Sequence, residues 1–264
     1  MSSILFEIKN AVAYITLNRP EKFNSFNRQM ALLLQEKLDE AASLHEVRAV
    51  YISGAGKAFC AGQDISELAP SQPAPNEEEM TIAKILSEHY NPIVKRIRNM
   101  PKPVVAAVNG VAAGAGANIA LCCDVVVATA SASFIQAFSK IGLIPDSGGT
   151  FTLPRLIGWQ KASALMMTGD KVAAGDADKM GMIYKVFTDE TFEVESKKIA
   201  ETLAQMPTKG LAYTKHALNQ SFVNSWEDQL LLEDKCQQKA AATADYNEGI
   251  NSFLEKRKPV FKGK

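Results

Sequence analysis

The stretch PVVAAVNGVAAGAGANIALCCDVVVATA (103–130) decides what fold this chain is expected to have. It places one uninterrupted apolar run, PVVAAV, before a glycine-rich turn and a second, DVVVATA, after it. Continuous apolar runs are typical of strands in a sheet that is covered on both faces. The spacing leaves room for a helix between them, so the sequence predicts alternating strands and helices in an α/β fold.

The same alternation continues toward the amino terminus. Three further runs predict strands, namely LFEI (5–8), VAYITL (12–17) and VRAVYISG (47–54). Asn27 is expected to cap a helix whose apolar face carries residues spaced three or four apart, Met30, Leu34, Leu38 and Ala41. Isoleucines at 82, 85, 93 and 97 predict a second long helix. An apolar run, IGLIP (141–145), is interpreted as a further strand before Gly148.

Beyond residue 190 the strand signals stop. The segments 191–205, 208–221, 225–242 and 244–256 all have helical periodicity. We therefore predict a core over residues 1–190 and a helical region over residues 191–264. The segment APSQPAP (69–75) predicts a mobile loop, because its X-Pro steps disfavour helix.

Composition excludes several classes of function. The 264 residues contain 29 Lys+Arg and 29 Asp+Glu, so no net charge attracts nucleic acid or anionic lipid. No apolar run approaches the roughly 18 residues of a membrane helix, and the first residues lack a signal-peptide pattern, so a cytoplasmic protein is expected. The spacing of the four cysteines predicts reduced, mostly buried thiols, and the three distant histidines predict no metal site.

Glycine clusters follow three of the predicted strands. Ser53–Gly56 is not a phosphate-binding P-loop, because Tyr51 stands where its first glycine belongs. The cluster at 109–116 is a poor dinucleotide fingerprint, because Ile119 takes the place of its third glycine. Turns at 59–62 and 114–116 could instead present main-chain N–H groups to an oxygen that gains charge, an oxyanion hole. Purely structural tight turns explain the same glycines.

Three motifs in order resemble the enoyl-CoA hydratase/isomerase, or crotonase, family. They are FCAGQDI (59–65), KPVVAAVNGVAAGAG (102–116) and GLIPDSGGT (142–150), and the likeness extends from LNRPEKFNS (17–25) to the carboxyl-terminal residues 244–264. Within the family, the segments 90–92, 109–117 and 137–150 resemble the branch that isomerises 3-enoyl-CoA or ring-epoxide acyl-CoA substrates, converting 1,2-epoxyphenylacetyl-CoA to oxepin-CoA in phenylacetate breakdown.

The resemblance implies a spiral of ββα units and a helical trimerisation region that builds homotrimers or homohexamers. It implies an oxyanion hole made by the N–H groups of Ala61 and Ala115. It also implies that the substrate is an acyl-CoA thioester, with no separate cofactor. The residues that it implies around the CoA moiety and the acyl group are Lys22, Phe23, Ala61, Gln63, Asp64, Ile65, Ala115, Asn118, Phe138 and, from a neighbouring subunit, Lys256.

The proton chemistry expected of the site depends on three positions. Hydratases of the family use two glutamates, and here their positions hold Asn118 and Phe138, neither of which exchanges a proton at neutral pH. Asp146 stands where isomerases carry a carboxylate, and one carboxylate suffices for a 1,3-proton shift. An apolar wall including Phe138 is expected to raise its pKa by desolvation. Taken without the resemblance, Asp146 is a turn residue that caps the next helix.

We therefore predict an acyl-CoA isomerase with Asp146 as its acid and base. Two alternatives stay open at this point: a hydratase or hydrolase with water held by Asn118 or Asp146, and a non-catalytic member of the fold that binds CoA or RNA. The sequence does not identify the acyl group, since its pocket depends on the loop over 66–90 and on the carboxyl-terminal helices.

Overall fold

In the computed structural model, residues 2–67 and 81–264 are described, and their strands form two sheets. The strands are β1 (Ile4–Lys9), β2 (Val12–Leu17), β3 (Ala49–Gly54), β4 (Ala58–Cys60), β5 (Val104–Val108), β6 (Val111–Ala113), β7 (Val125–Thr129), β8 (Ser133–Ile135), β9 (Lys171–Ala173) and β10 (Lys185–Phe187). The larger sheet has the order β1-β2-β3-β5-β7-β10, and the smaller has the order β4-β6-β8-β9.

The helices are distributed between and after these strands. They are α1 (Arg28–Ser43), α2 (Ile82–Lys84), α3 (Asn91–Asn99), α4 (Ala115–Leu121), α5 (Gly149–Ile157), α6 (Trp159–Thr168), α7 (Ala174–Lys179), α8 (Phe192–Gln205), α9 (Thr208–Gln220), α10 (Trp226–Ala241) and α11 (Ala244–Leu254). A π-helical turn, Ile85–Tyr90, joins α2 to α3, and short 3-10 turns cover Pro20–Lys22, Ile65–Glu67 and Ala137–Ile141.

A repeated strand-strand-helix unit explains why there are two sheets. In each unit the first strand (β3, β5 or β7) joins the larger sheet, and the second (β4, β6 or β8) joins the smaller one. Pairing between successive units is parallel in both sheets. The chain therefore winds as a spiral of ββα units, and corresponding turns of successive units lie side by side.

The core lies mainly between the sheets and the helices that follow their strands. Its members include fully buried Ile15, Phe59, Val104 and Ile119. On the other face of the larger sheet, α8 packs Phe192, Ala200 and Ala204 against strand residues. The predicted boundary at residue 190 stays a prediction. The first helix after it, α8, packs directly on the larger sheet.

The structure confirms most of the predicted elements and corrects two. The four carboxyl-terminal helices and the Asn27 cap, which accepts from Met30 N–H at 2.9 Å, are as expected. The second long helix is interrupted by the π turn at 85–90. The run IGLIP is not a strand: it leaves a 3-10 turn through Gly142 at φ +74° and stays exposed. The segment 69–75 lies outside the described residues.

Two further expectations concern cysteines and membranes. All four cysteines are buried free thiols, as predicted. Over residues 2–67 and 81–264, no helix combines the length and the apolar character that crossing a bilayer requires.

An ion pair between buried Lys215 and partly exposed Asp124 joins α9 to the core. The Lys215 ammonium, 7% exposed, donates to Asp124 Oδ2 at 2.7 Å and to the Ile97 carbonyl at 2.6 Å. Burial lowers the pKa of Lys215 and raises that of Asp124, while their mutual attraction opposes both shifts. Each charge is therefore stable at this depth only with its partner present.

We expect Lys215→Met to destabilise the protein by about 3 kcal/mol, the lower end for a broken buried pair, because the partly exposed Asp124 carboxylate loses its cation but keeps the bond from Val104 N–H. The measurement is chemical denaturation. The matched control is Lys197→Met, which breaks the half-exposed pair with Glu193 on α8 and should cost less than about 1 kcal/mol. Equal losses in the two variants would contradict the prediction.

Candidate active site

Two glycine-containing turns lie next to each other at the ends of β4 and β6. These strands pair in parallel, with Cys60 opposite Ala112, so the residues that follow them emerge at the same edge. A Cβ atom on Gly62 would lie 3.5 Å from the nitrogen of Ala115 and 3.0 Å from the carbonyl oxygen of Ala113. Gly62 also has φ +94°, a conformation that favours glycine. The predicted convergence of the two turns is therefore confirmed.

The first turn presents a different N–H group from the one that the sequence indicated. Ala61 N–H already donates to the carbonyl of Phe23 at 3.0 Å, so it is not a free donor. Asp64 N–H donates to the Phe26 carbonyl at 2.8 Å. Phe26 and Gln63 form an isolated parallel β-bridge. Neighbouring N–H groups of an extended segment point to opposite sides, so Gln63 N–H points away from Phe26. Within the described residues no protein group accepts from it, and the assignment of Ala61 is corrected to Gln63.

The second turn presents the N–H group of Ala115 at the start of α4. Gly114 precedes it with φ +52° and ψ −129°, which only glycine adopts readily. The first N–H groups of a helix have no partner inside the helix. Across the described ranges, no protein acceptor bonds Ala115 N–H. The side chain of Ala115 is buried, at 3% exposure.

The side chain of Gln63 is held at both ends. Its Oε1 accepts from the Tyr90 hydroxyl at 2.7 Å, and its Nε2 donates to Glu67 at 2.9 Å. Tyr90 is the last residue of the π turn. Within that turn, the Glu88 carbonyl accepts a hydrogen bond from Nε2 of buried Gln35 at 2.6 Å. Turns of this kind are frequent at functional sites. The π turn thus positions the residue that carries the free N–H.

Asp146 lies in a strained turn before α5. Its carbonyl accepts from Gly149 N–H at 2.8 Å, and the two residues between them, Ser147 and Gly148, have φ +53° and +77°. Positive φ is uncommon for serine and marks stored strain. Ser147 is 2% exposed, and its main-chain oxygen accepts from the buried thiol of Cys122. Cys122, at the end of α4, therefore supports the turn.

The carboxyl group of Asp146 is partly buried. Burial raises its pKa above the ordinary value, and a hydrogen bond from Ser147 Oγ to Oδ1, at 2.8 Å, opposes the shift. This is the predicted direction. The residue's own main-chain N–H also lowers this pKa. Among the other described residues, Ser147 is the one whose hydrogen bond to the carboxyl is seen. The carboxyl also does not cap α5, since Gly148 is the capping residue and makes no side-chain bond.

Phe138 lies beside Gly114, and Asn118 lies beside the backbone of Asp146. The Phe138 ring lies 3.9 Å from where a Cβ on Gly114 would be, so it forms an apolar wall beside the Ala115 turn. Asn118 is 1% exposed, and both polar atoms of its amide have protein partners: Nδ2 donates to the Asp146 carbonyl at 2.9 Å, and Oδ1 accepts from Gln136 at 2.8 Å. The expected contact of Asn118 with substrate or water stays a prediction, because each of these atoms can make a second hydrogen bond.

Some of the residues predicted around CoA lie close together on the surface. Lys22, Phe23 and Ile65 are exposed there, near the bridge between Phe26 and Gln63. The side chain of Asp64 is structural: it is 8% exposed, and its carboxylate bonds Arg19 at 2.9 Å and Ser66 at 2.6 Å. The predicted contact of the backbone near Gln63 to Ile65 with CoA stays a prediction.

Lys256 is exposed after α11. Its predicted contact is with CoA bound to a neighbouring subunit, so it would need an oligomer. Sequence reasoning did not single out Glu67 or Gln136, whose roles depend on contacts between distant segments.

Comparison with known proteins identifies the relatives of this site. A family model described as enoyl-CoA hydratase/isomerase matches residues 7–264. The chain belongs to the enoyl-CoA hydratase/isomerase family. A 1,2-epoxyphenylacetyl-CoA isomerase of Escherichia coli is 44% identical, with all of both chains covered. A trans-2-decenoyl-acyl-carrier-protein isomerase of Streptococcus mutans is 36% identical over 99% of this chain and 98% of that protein.

The fold comparison agrees with the sequence comparison. The crystal structure of an enoyl-CoA hydratase from Bacillus anthracis superposes with a TM-score of 0.90 at 31% identity, covering 99% of this chain and all of that one. Both isomerases and hydratases therefore occur among the relatives. The enoyl-CoA hydratase/isomerase assignment establishes the class of enzyme and leaves the reaction to the residues of the site.

Proposed function

We propose that this enzyme isomerises an acyl-CoA thioester, moving a double bond in a 3-enoyl-CoA or rearranging a ring epoxide. The observation that carries the proposal is the position of Asp146, whose partly buried carboxyl has a raised pKa and, among the other described residues, a hydrogen bond from Ser147 alone. The positions that hold glutamates in the family's hydratases contain Asn118, with its amide engaged, and Phe138. Two protein carboxylates for activating water are therefore not available at those positions.

For a 3-enoyl-CoA, the proposed proton shift has two steps. The Asp146 carboxylate removes a proton from C2, and the electron pair of that bond moves into the thioester to form an enolate. The N–H groups of Gln63 and Ala115 stabilise the enolate oxygen. Protonated Asp146 then returns the proton to C4, and the double bond moves from C3–C4 to C2–C3. Each donor of this kind is worth about 2.7–4 kcal/mol in the transition state.

Glu67 is a second carboxylate near the site, and its contacts make it a poorer candidate for the base than Asp146. Glu67 accepts from Gln63 Nε2 at 2.9 Å and from Arg28 N–H at 3.1 Å, so each of its oxygens has a donor. Proton abstraction by Glu67 would break the support of the Gln63 side chain. Within the described residues, the Asp146 carboxyl is bonded by its neighbour Ser147 and by its own main-chain N–H, so it can accept a proton without breaking a contact to another segment.

The names of the relatives guide the choice of substrates. Because the 44% identical relative is a 1,2-epoxyphenylacetyl-CoA isomerase, we propose an aromatic ring epoxide as the first substrate to test and a straight-chain 3-enoyl-CoA as the second. Lys22 and Lys256 are proposed to contact the CoA phosphates, as exposed cations suited to that task.

Mass spectrometry of the product tests the proposal. Isomerisation leaves the mass of the acyl-CoA unchanged, whereas hydration adds one water. We expect an unchanged mass from both test substrates. The hydratase is the alternative, since relatives include hydratases, and rapid water addition to a 2-enoyl-CoA without any isomerisation would favour it.

We also propose a homotrimer or homohexamer. The carboxyl-terminal helices and their connections expose large apolar side chains, which single chains rarely leave in contact with water as a group. They include Leu218, Val223, Trp226, Leu231, Phe253 and Leu254. Sedimentation equilibrium measures the state, and a monomer at micromolar concentration would contradict the proposal.

A further inference from the structure

Asn118 contacts the backbone of the catalytic residue from behind. Its Nδ2 donates to the Asp146 carbonyl at 2.9 Å, and this carbonyl also accepts from Gly149 N–H at 2.8 Å. A Cβ on Gly149 would lie 2.3 Å from Asn118 Nδ2, so only glycine lets the amide come this close. We infer that Asn118, itself oriented by Gln136, is a positioning residue that sets the direction of the Asp146 carboxyl. The inference rests on the proposed function.

The Asp146 carbonyl determines the orientation of the whole chain of amides. A carbonyl can only accept, so Asn118 must present Nδ2 to it and Oδ1 to its other neighbour. Gln136 must then present Nε2, at 2.8 Å from Asn118 Oδ1, and its own Oε1 is buried without a partner in the described residues. A buried acceptor left unpaired is a cost that a native protein usually avoids. The cost is explained if the fixed orientation of Asn118 serves the site.

The turn needs this support because it is strained. Ser147 and Gly148 both have positive φ, directly after Asp146. Relaxation of that turn would rotate the Asp146 backbone and move its carboxyl. A general base must lie within hydrogen-bonding reach of the proton that it removes, and a displacement of about 1 Å can cost roughly 100-fold in rate. Both polar atoms of Asn118 bond protein groups, and the group that Nδ2 bonds is the Asp146 backbone, so loss of the amide changes the support of Asp146.

The test compares Asn118→Leu and Gln136→Met with the wild type in isomerisation of a 3-enoyl-CoA in D₂O. Leu and Met keep similar volumes and remove the donor. We expect kcat of Asn118→Leu to fall at least ~10-fold with KM within about 2-fold, because geometry and not binding is lost. Gln136→Met should show a smaller fall in the same direction.

Deuterium in the product provides a readout that a merely structural role would not change. When Asp146 carries the proton directly from C2 to C4, little solvent deuterium enters. A misdirected carboxyl returns the proton more slowly and exchanges it with solvent first, so we expect more deuterium at C4 in both variants. The matched control is Asn219→Leu, which removes a bond of the same kind to the Arg98 carbonyl, at 2.8 Å, away from the site.

The outcomes separate this inference from the proposed function. A wild type that does not isomerise any of the substrates overturns the proposed function and this inference with it. An active wild type, with kcat and deuterium content in Asn118→Leu equal to those of Asn219→Leu, overturns this inference alone. Should Asn118→Leu fail to fold, Gln136→Met decides, and wild-type kcat and deuterium content in that variant reject the role.

Discussion

Asp146→Asn is expected to lower the isomerisation rate at least ~100-fold, the lower end of what general acid–base catalysis contributes. The amide keeps the shape of the carboxyl and can still accept from Ser147 Oγ, so the turn should persist. It cannot take a proton from C2 or deliver one to C4. The loss should therefore appear in kcat, with little change in KM, in a steady-state assay with a 3-enoyl-CoA.

The matched control for this variant is Asp189→Asn. Asp189 is also bonded by a side-chain hydroxyl and a main-chain N–H, from Thr129 and Ser131, but it is exposed and has no place in the proposed site. Its substitution should leave kcat unchanged. Near-full turnover by Asp146→Asn on both the 3-enoyl and the ring-epoxide substrate would reject Asp146 as the acid and base.

The raised pKa of Asp146 also gives a pH dependence with a defined sign. The base must be ionised, so kcat/KM should rise with pH through a value above the ~3.9 of an ordinary aspartate. Because the folded protein holds this proton more tightly than the unfolded chain, stability falls as pH rises between the two pKa values. Above the raised pKa the cost is fully present, so there Asp146→Asn should unfold at the same temperature as the wild type or higher.

Gly114→Ala is expected to cause the second large loss, up to the ~100- to 1000-fold in kcat that follows removal of one oxyanion donor. The added methyl group has space, since the nearest atom is Phe138 Cζ at 3.9 Å. The backbone is the obstacle, because φ +52° with ψ −129° disfavours alanine. Relief of that strain rotates the peptide whose N–H belongs to Ala115 and turns the donor away.

A matched Gly→Ala control is available in α7. Gly175 has no atom within 4 Å of the position that a Cβ would take, and it lies in a helix, where alanine is favoured. Gly175→Ala should keep kcat at the wild-type level. Gly114→Ala with kcat within about 3-fold of the same level would show that Ala115 N–H contributes little to stabilising the transition state.

Prediction from the sequence succeeded where the signal is local. Apolar periodicity located α8 to α11 within a few residues, and the cap at Asn27 followed from its side chain. It failed where the outcome depended on neighbours. IGLIP is apolar enough for a strand, yet no adjacent strand pairs with it in the described structure, and Gly142 turns the chain.

The candidate site divides in the same way. The motifs by themselves determined the family, the two turns and the carboxylate at 146, because each depends on residue types in order along the chain. Only the tertiary structure decided that Gln63 and not Ala61 has the free N–H, and that Asn118 bonds the Asp146 backbone. The physical reason is that the direction of an N–H group and the partner of a buried amide depend on segments distant in sequence, such as Phe23, Phe26 and Gln136.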